Sequence, residues 1–188
     1  KKHGGLVTMV AENFRYMPTF LRMKKVLDSG DLGEVYAAHW NAFAEMNPKT
    51  SPYAKTSWRV NHQFPAGFLT DGGVHFIHAI RFLFGEITTV RSTTKSVNPK
   101  IGKLDTHLMQ YETDRGVAGT LQHHFTSRGY HENRLLVFGT KATAEMTMER
   151  ILIHRPGKKP RTINIKVDGG YRAEFEDFHK AITRGKQP

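Results

Sequence analysis

The order of elements in this 188-residue chain predicts an α/β (α+β) fold: an open, largely antiparallel β-sheet with helices packed on one face. Two observations lead there. Helices and strands alternate through the first half, and a run of short strands separated by turn residues fills most of the second. In order, "LVTMVAEN" (residues 6–13) reads as a short strand of β-branched and apolar residues with a polar end. "MPTFLRMKKVLDSG" reads as a helix, because Pro18 suits a first turn, Phe20, Leu21, Met23, Val26 and Leu27 give an apolar side, and Gly30 closes it. "LGEVYAAHWNAFAE" returns as a long strand, and a loop rich in Pro, Ser and Asn follows from Asn47 to Pro65. "GFLTDGGVHFIHAIRFLFG" is a helix ended by Gly85. From Thr88 the strands dominate: "THLMQYE", "GVAGTLQHHFT", "RLLVFGT", "AEMTME" and the two arms of a hairpin around "PGKK". In "AEFEDFHKAITRG", Phe175, Phe178, Ala181 and Ile182 recur at helical spacing. One sheet face is left without helices, which suits self-association.

Composition excludes several function classes. There is no cysteine, hence no disulfide, thiolate zinc site or cysteine nucleophile, and an oxidising compartment is not indicated. No apolar run is long enough for a membrane helix, and "KKHGGLVTMVAENFRY" lacks the apolar core and cleavage site of a signal peptide, so a cytoplasmic location is expected. The net charge of +11 raises the question of nucleic acid. Only residues 150–166 concentrate basic groups, six Lys or Arg without one acid, and no aromatics are interleaved as a base-stacking platform requires. A solvated hairpin with a basic tip at Lys158, Lys159 and Arg161 accounts for them, and binding to nucleic acid is the alternative.

The chemistry concentrates in the helix that carries Asp71, His75 and His78. Asp71 and His75 lie one turn apart, so the carboxylate can hold the imidazole in one tautomer and make a base of it. Gly72 and Gly73 would let a ligand approach the backbone near the helix start, where free N–H groups favour an anionic or polar group. In the competing readings Asp71 caps the helix and His75 packs in the core, or the three side chains bind a metal with His123 and His124. His78 lies about 60° around the helix from His75, and adjacent strand residues face opposite ways, which argues against a metal site. No G-x-S-x-G offers a serine nucleophile.

Four stretches in this order, "VAENFRYMPTFLRMKKVLDSGDLGEV", "SWR", "GFLTDGGVHFIHAIRFLFGE" and "FEDFHKAITRGKQP", resemble the C-terminal, substrate-binding domain of the glucose-fructose oxidoreductase, inositol dehydrogenase and MocA family (Gfo/Idh/MocA). The D-x-G-x-H at Asp71, Gly73 and His75 is the most specific element. The resemblance implies an NAD- or NADP-dependent oxidoreductase acting on a sugar or polyol, with His75 as its acid–base residue and Asp71 as the partner. Tyr16, Trp58, Arg59 and His78 would lie around the substrate and Arg15 near the cofactor, and the open sheet face would make a homo-oligomer. His78 stands where many members carry a second acid, which leaves the sugar unnamed. G-x-G-x-x-G and an E-K-P-like triplet are both absent. Residues 1–188 are therefore expected to be the substrate-binding and oligomerisation domain of a longer enzyme, without its Rossmann domain and inactive alone. "KKHGG" would be the tail of that domain's last helix, and a further helix would follow "RGKQP". A non-catalytic sugar-binding or scaffold module of the same fold is the alternative within the family, and glycoside cleavage through transient oxidation is a related minority chemistry.

Overall fold

The computed structural model describes residues 6–61 and 67–185, so the expected helix tail at residues 1–5 and the last residues of the chain lie outside it. Eight strands form one sheet: β1 (Val35–Phe43), β2 (Ile87–Lys95), β3 (Thr106–Thr113), β4 (Ala118–His124), β5 (Glu132–Gly139), β6 (Thr143–Met146), β7 (Arg150–His154) and β8 (Arg161–Asn164), in the order β2-β3-β4-β1-β5-β6-β7-β8. Every neighbouring pair is antiparallel except β1 with β4. That exception follows from connectivity, since β1 reaches β4 only after a long helix and two other strands.

Side-chain alternation sorts the sheet into a covered and an open face. Ala38, Trp40 and Ala42 of β1, Met109 and Tyr111 of β3, Leu121 of β4, and Leu135 and Val137 of β5 are buried, as are Ile151 and Ile153 of β7. Onto them pack α1 (Pro18–Asp28), through Phe20 and Met23, and α3 (Gly67–Phe84), through Phe76, Ile80 and Leu83. Trp40 lies at the centre, in ring contact with Phe20 and Phe76, and its indole N–H donates to Asn133 at 2.9 Å. Burying a large aromatic of this kind contributes on the order of 2–3 kcal/mol, and the hydrogen bond removes the cost of its one polar atom. Gly119 of β4 is required here, because a Cβ there would stand 2.3 Å from the Tyr111 ring. α4 (Tyr171–Arg184) docks on the 3-10 turn Asn13–Tyr16, and Asn13 donates to the Gly169 carbonyl at 2.8 Å.

Three expectations change. Residues 6–12 form no strand: Leu6 and Val10 face solvent, and the segment instead carries the chain to Glu12 beside α3. β-branched residues favour a strand only where a sheet edge offers a ladder. The 47–65 loop contains, among its described residues, a short turn at Tyr53–Lys55 and the single-turn helix α2 (Ser57–Val60). β2 had no apolar alternation to reveal it, since nearly all of its residues are exposed. No helix among the described residues is long and apolar enough to cross a membrane.

Candidate functional site

His75 sits midway along α3 with its ring stacked on Phe14, centroids 4.8 Å apart and planes 18° from parallel. Its Nδ1 lies 2.8 and 2.9 Å from the two carboxylate oxygens of Glu12. Glu12 is buried, and as cap of the 3-10 turn it also accepts the Phe14 backbone N–H at 3.1 Å. Burial pushes the Glu12 carboxyl up, but the hydrogen bond and charge of His75, with the Phe14 N–H, outweigh it and hold the group below its ordinary 4.5. The His75 side chain is 30 % exposed, and Nε2 has no protein partner among the described residues.

The carboxylate beside His75 is thus Glu12, which corrects the expected Asp71–His75 hydrogen bond. Asp71 goes to Arg59, whose Nε donates to its Oδ2 at 2.6 Å. The reason is competition for the acid. A one-turn spacing permits contact with a histidine, but a guanidinium is always charged and here is preset, with Trp58 under it at 3.9 Å, Tyr53 at 5.1 Å and Thr56 accepting a second N–H. The glycines are also reassigned. α3 begins at Gly67, so the Gly72 and Gly73 amides fall beyond the four unsatisfied ones of the first turn and are not free for an anion. A Cβ on Gly72 would stand 2.6 Å from the Phe125 ring, so the close approach this glycine permits is by the protein itself.

His75, Asp71 and Arg59 come together on the wall of a cavity of about 430 Å3, closed by Phe14, Phe125 and Glu174. Glu174 is buried, with one carboxylate oxygen lacking a partner among the described residues. The other expected site residues stand apart. The Tyr16 hydroxyl donates to Asp177 on α4 at 2.8 Å, and burial followed by that hydrogen bond raises its pKa. Trp58 is 57 % exposed outside the cavity, supporting Arg59. Arg15 is exposed at the end of the 3-10 turn. His78 lies three residues beyond His75, near Phe82, and its Nε2 is buried without a partner. Burial lowers the His78 pKa, Glu12 opposes this, and Arg15, Arg81 and His75 add to it. Asp71, His75 and His78 therefore do not converge, and the described residues hold no group of three side chains placed for a metal. A larger cavity of about 580 Å3 shares Met46 and Phe125 with the first but has none of the acid–base candidates.

Glu12, Phe14 and Glu174 escaped the sequence reading. Glu12 is 63 residues from His75, beyond any local spacing rule; its one visible signal was an acid closing an apolar stretch.

Residues 20–145 match the family model described as the GFO/IDH/MocA C-terminal domain. The chain is 26 % identical over 147 residues to a D-apiose dehydrogenase of Rhizobium rhizogenes, covering 74 % of this chain and 40 % of that protein. It is 25 % identical over 199 residues to the scyllo-inositol 2-dehydrogenase (NAD(+)) of Bacillus subtilis, covering 100 % of this chain and 56 % of that one. Among solved structures, the oxidoreductase TM0312 of Thermotoga maritima superposes with a TM-score of 0.85 at 29 % identity, covering 94 % of this chain and 52 % of its own. The chain spans about half the length of the curated relatives it matches. It belongs to the Gfo/Idh/MocA oxidoreductase family, as that family's C-terminal domain.

Proposed function

We propose that this chain is the substrate-binding and oligomerising domain of an NAD- or NADP-dependent oxidoreductase that oxidises a hydroxyl group of a sugar or polyol, with His75 as its acid–base residue. The observation that carries the reading is an imidazole held at one nitrogen and without a partner at the other among the described residues, on the wall of a cavity that also carries the Arg59–Asp71 pair. Relatives that act on apiose and scyllo-inositol supply the substrate class.

Proton abstraction from a hydroxyl needs a base within hydrogen-bond reach, about 2.6–3.2 Å, and a means of fixing the substrate. Nε2 of His75 takes the hydroxyl proton. Asp71 accepts a neighbouring substrate hydroxyl with its remaining lone pairs, and the N–H groups of Arg59 that have no partner among the described residues donate to another, so the ion pair orients the ring or chain of the substrate. Phe14, Phe68 and Phe125 line the cavity and exclude water around the reacting carbon. Trp58 and Tyr16 hold Arg59 and α4, respectively, at the edges of this arrangement.

A bound nicotinamide supplies the hydride acceptor in such chemistry. The described residues do not form a cradle for that group. The sheet's one parallel pair, β1 and β4, is not joined by a βαβ unit, and the sequence contains no G-x-G-x-x-G, so this chain offers a wall rather than a cradle for the dinucleotide. Arg15, exposed and without an ion pair among the described residues, is the cation that this proposal assigns to the dinucleotide. The 188 residues alone are accordingly expected to leave polyols unoxidised.

The test is His75→Ala in the complete gene product, assayed with NAD+ and NADP+ against a panel of sugars and polyols. The expected result is a loss of at least about a hundredfold in kcat. An unchanged rate on every oxidised substrate would remove His75 from the chemistry.

A further inference from the structure

We propose that Glu12 is the positioning residue of the site: its carboxylate fixes the His75 ring and tautomer, so that Asp71 is left to meet the substrate through Arg59. This rests on the reading of His75 as the acid–base group. The geometry shows a device with three supports. Both Glu12 oxygens face Nδ1, at 2.8 and 2.9 Å, which fixes the direction of the N–H. The Phe14 backbone N–H holds the carboxylate from the other side at 3.1 Å. The Phe14 ring lies flat on the imidazole and is itself stacked on Phe20 at 5.1 Å, so the ring plane is fixed by the core.

The consequence follows from donor and acceptor inventories. An ionised carboxylate only accepts, so the proton must be on Nδ1, and Nε2 presents its lone pair outward. The lowered Glu12 pKa agrees with an ionised group at neutral pH. Asp71 cannot do this work while Arg59 holds it, and it stands on the cavity wall with its side chain 31 % exposed. Without Glu12 the ring would populate both tautomers, and only one of them can accept a hydroxyl proton at the exposed nitrogen.

The experiment joins a spectroscopic readout with kinetics in the complete gene product. With histidine labelled by ¹⁵N, long-range proton–nitrogen spectra assign the His75 tautomer, using His75→Gln to identify its signals. At a pH where the ring is neutral, the wild type is expected to carry its proton on Nδ1. Glu12→Gln is expected to mix the tautomers and lower kcat about tenfold to a hundredfold, with KM changed less than about twofold. Asp71→Asn is expected to raise KM and keep the Nδ1–H tautomer. A wild-type proton on Nε2 would overturn the proposal, and so would a Glu12→Gln enzyme with wild-type kcat. The first of these readings needs no change at Glu12, so it decides even if Glu12→Gln does not fold. Inactive His75→Ala beside fully active Glu12→Gln refutes Glu12 alone, whereas active His75→Ala refutes the underlying function.

Discussion

His123 illustrates how burial separates one histidine from another in the same chain. It is 3 % exposed, pressed between Phe76 and Phe125 at ring distances of 4.4 and 4.3 Å, and its Nδ1 has no partner among the described residues. Burial, with smaller contributions from the charges of His107 and His124, pushes its pKa down to about 3 from 6.5. The sign of the linkage follows. The unfolded chain binds this proton near pH 6.5 and the folded one does not, so the stability His123 allows is complete above 6.5 and is lost as pH falls toward 3. His123→Phe should therefore flatten the fall in Tm between pH 7 and pH 5 while changing Tm little at pH 7.5. Thermal unfolding at a series of pH values checks it, and a wild-type slope in the variant would sink the assignment. Glu12, whose pKa is lowered, acts in a different window, below about 4.5. The same scale explains what was legible in the site. Asp71 and His75 could be singled out because one-turn spacing and the D-x-G-x-H pattern are local signals. Their true partners, Arg59 twelve residues upstream and Glu12 sixty-three upstream, are brought in by folding, and no periodicity marks them.

Among the elements, α3 carries the most information, and its paired glycines give opposite predictions. A methyl group on Gly72 would meet the end of the Phe125 ring at 2.6 Å, and that ring is packed against Phe68 and His123. Overpacking of this kind costs on the order of 1–3 kcal/mol, which exceeds the roughly 1 kcal/mol that alanine contributes to a helix interior. A methyl group on Gly73 would find only His123 Nδ1, at an ordinary 3.8 Å. Gly72→Ala is thus expected to lower Tm and disturb the cavity wall, and Gly73→Ala to raise stability by about 0.5–1 kcal/mol. Denaturant unfolding of the two single variants compares them directly, and equal effects would show that Phe125 yields more easily than its packing implies. α1, α3 and α4 were readable because each has an apolar stripe with a proline or glycine at an end. The basic hairpin was also readable, although not what anchors it: Arg155 and Arg161 both pair with Asp31, in the turn after α1. Residues 6–12 and β2 failed in complementary ways, one apolar yet in none of the sheet's strands and the other laddered without apolar alternation. Composition stands in for strand formation only when an edge is available.

At the scale of the molecule, the unanswered physical question is what covers the second face of the sheet. Arg91, Gln110, Thr120, His39 and Leu136 run across it in one hydrogen-bonded row, and Leu108 on the neighbouring row is 46 % exposed. The mixed polar and apolar open face of these eight strands, flanked by edge strands β2 and β8, is the surface expected to pair with a copy of itself. The net charge of +11 opposes that pairing, because every copy repels every other. Contact must then come from close packing and hydrogen bonds, and salt should strengthen it by screening the repulsion, the reverse of what a salt-bridged interface or nucleic-acid binding would show. The complete gene product is therefore expected to sediment above its monomer mass at tens of micromolar, and association of the 188 residues, which carry the +11, to increase from about 50 to 500 mM salt as the Debye length shortens. Leu108→Lys with Leu136→Lys adds two charges to this face of each copy without touching the helix-covered core, and should give a monomer with an unchanged circular dichroism spectrum. A monomeric wild type would refute association through the sheet, and a double variant that stays oligomeric would move the interface to another surface.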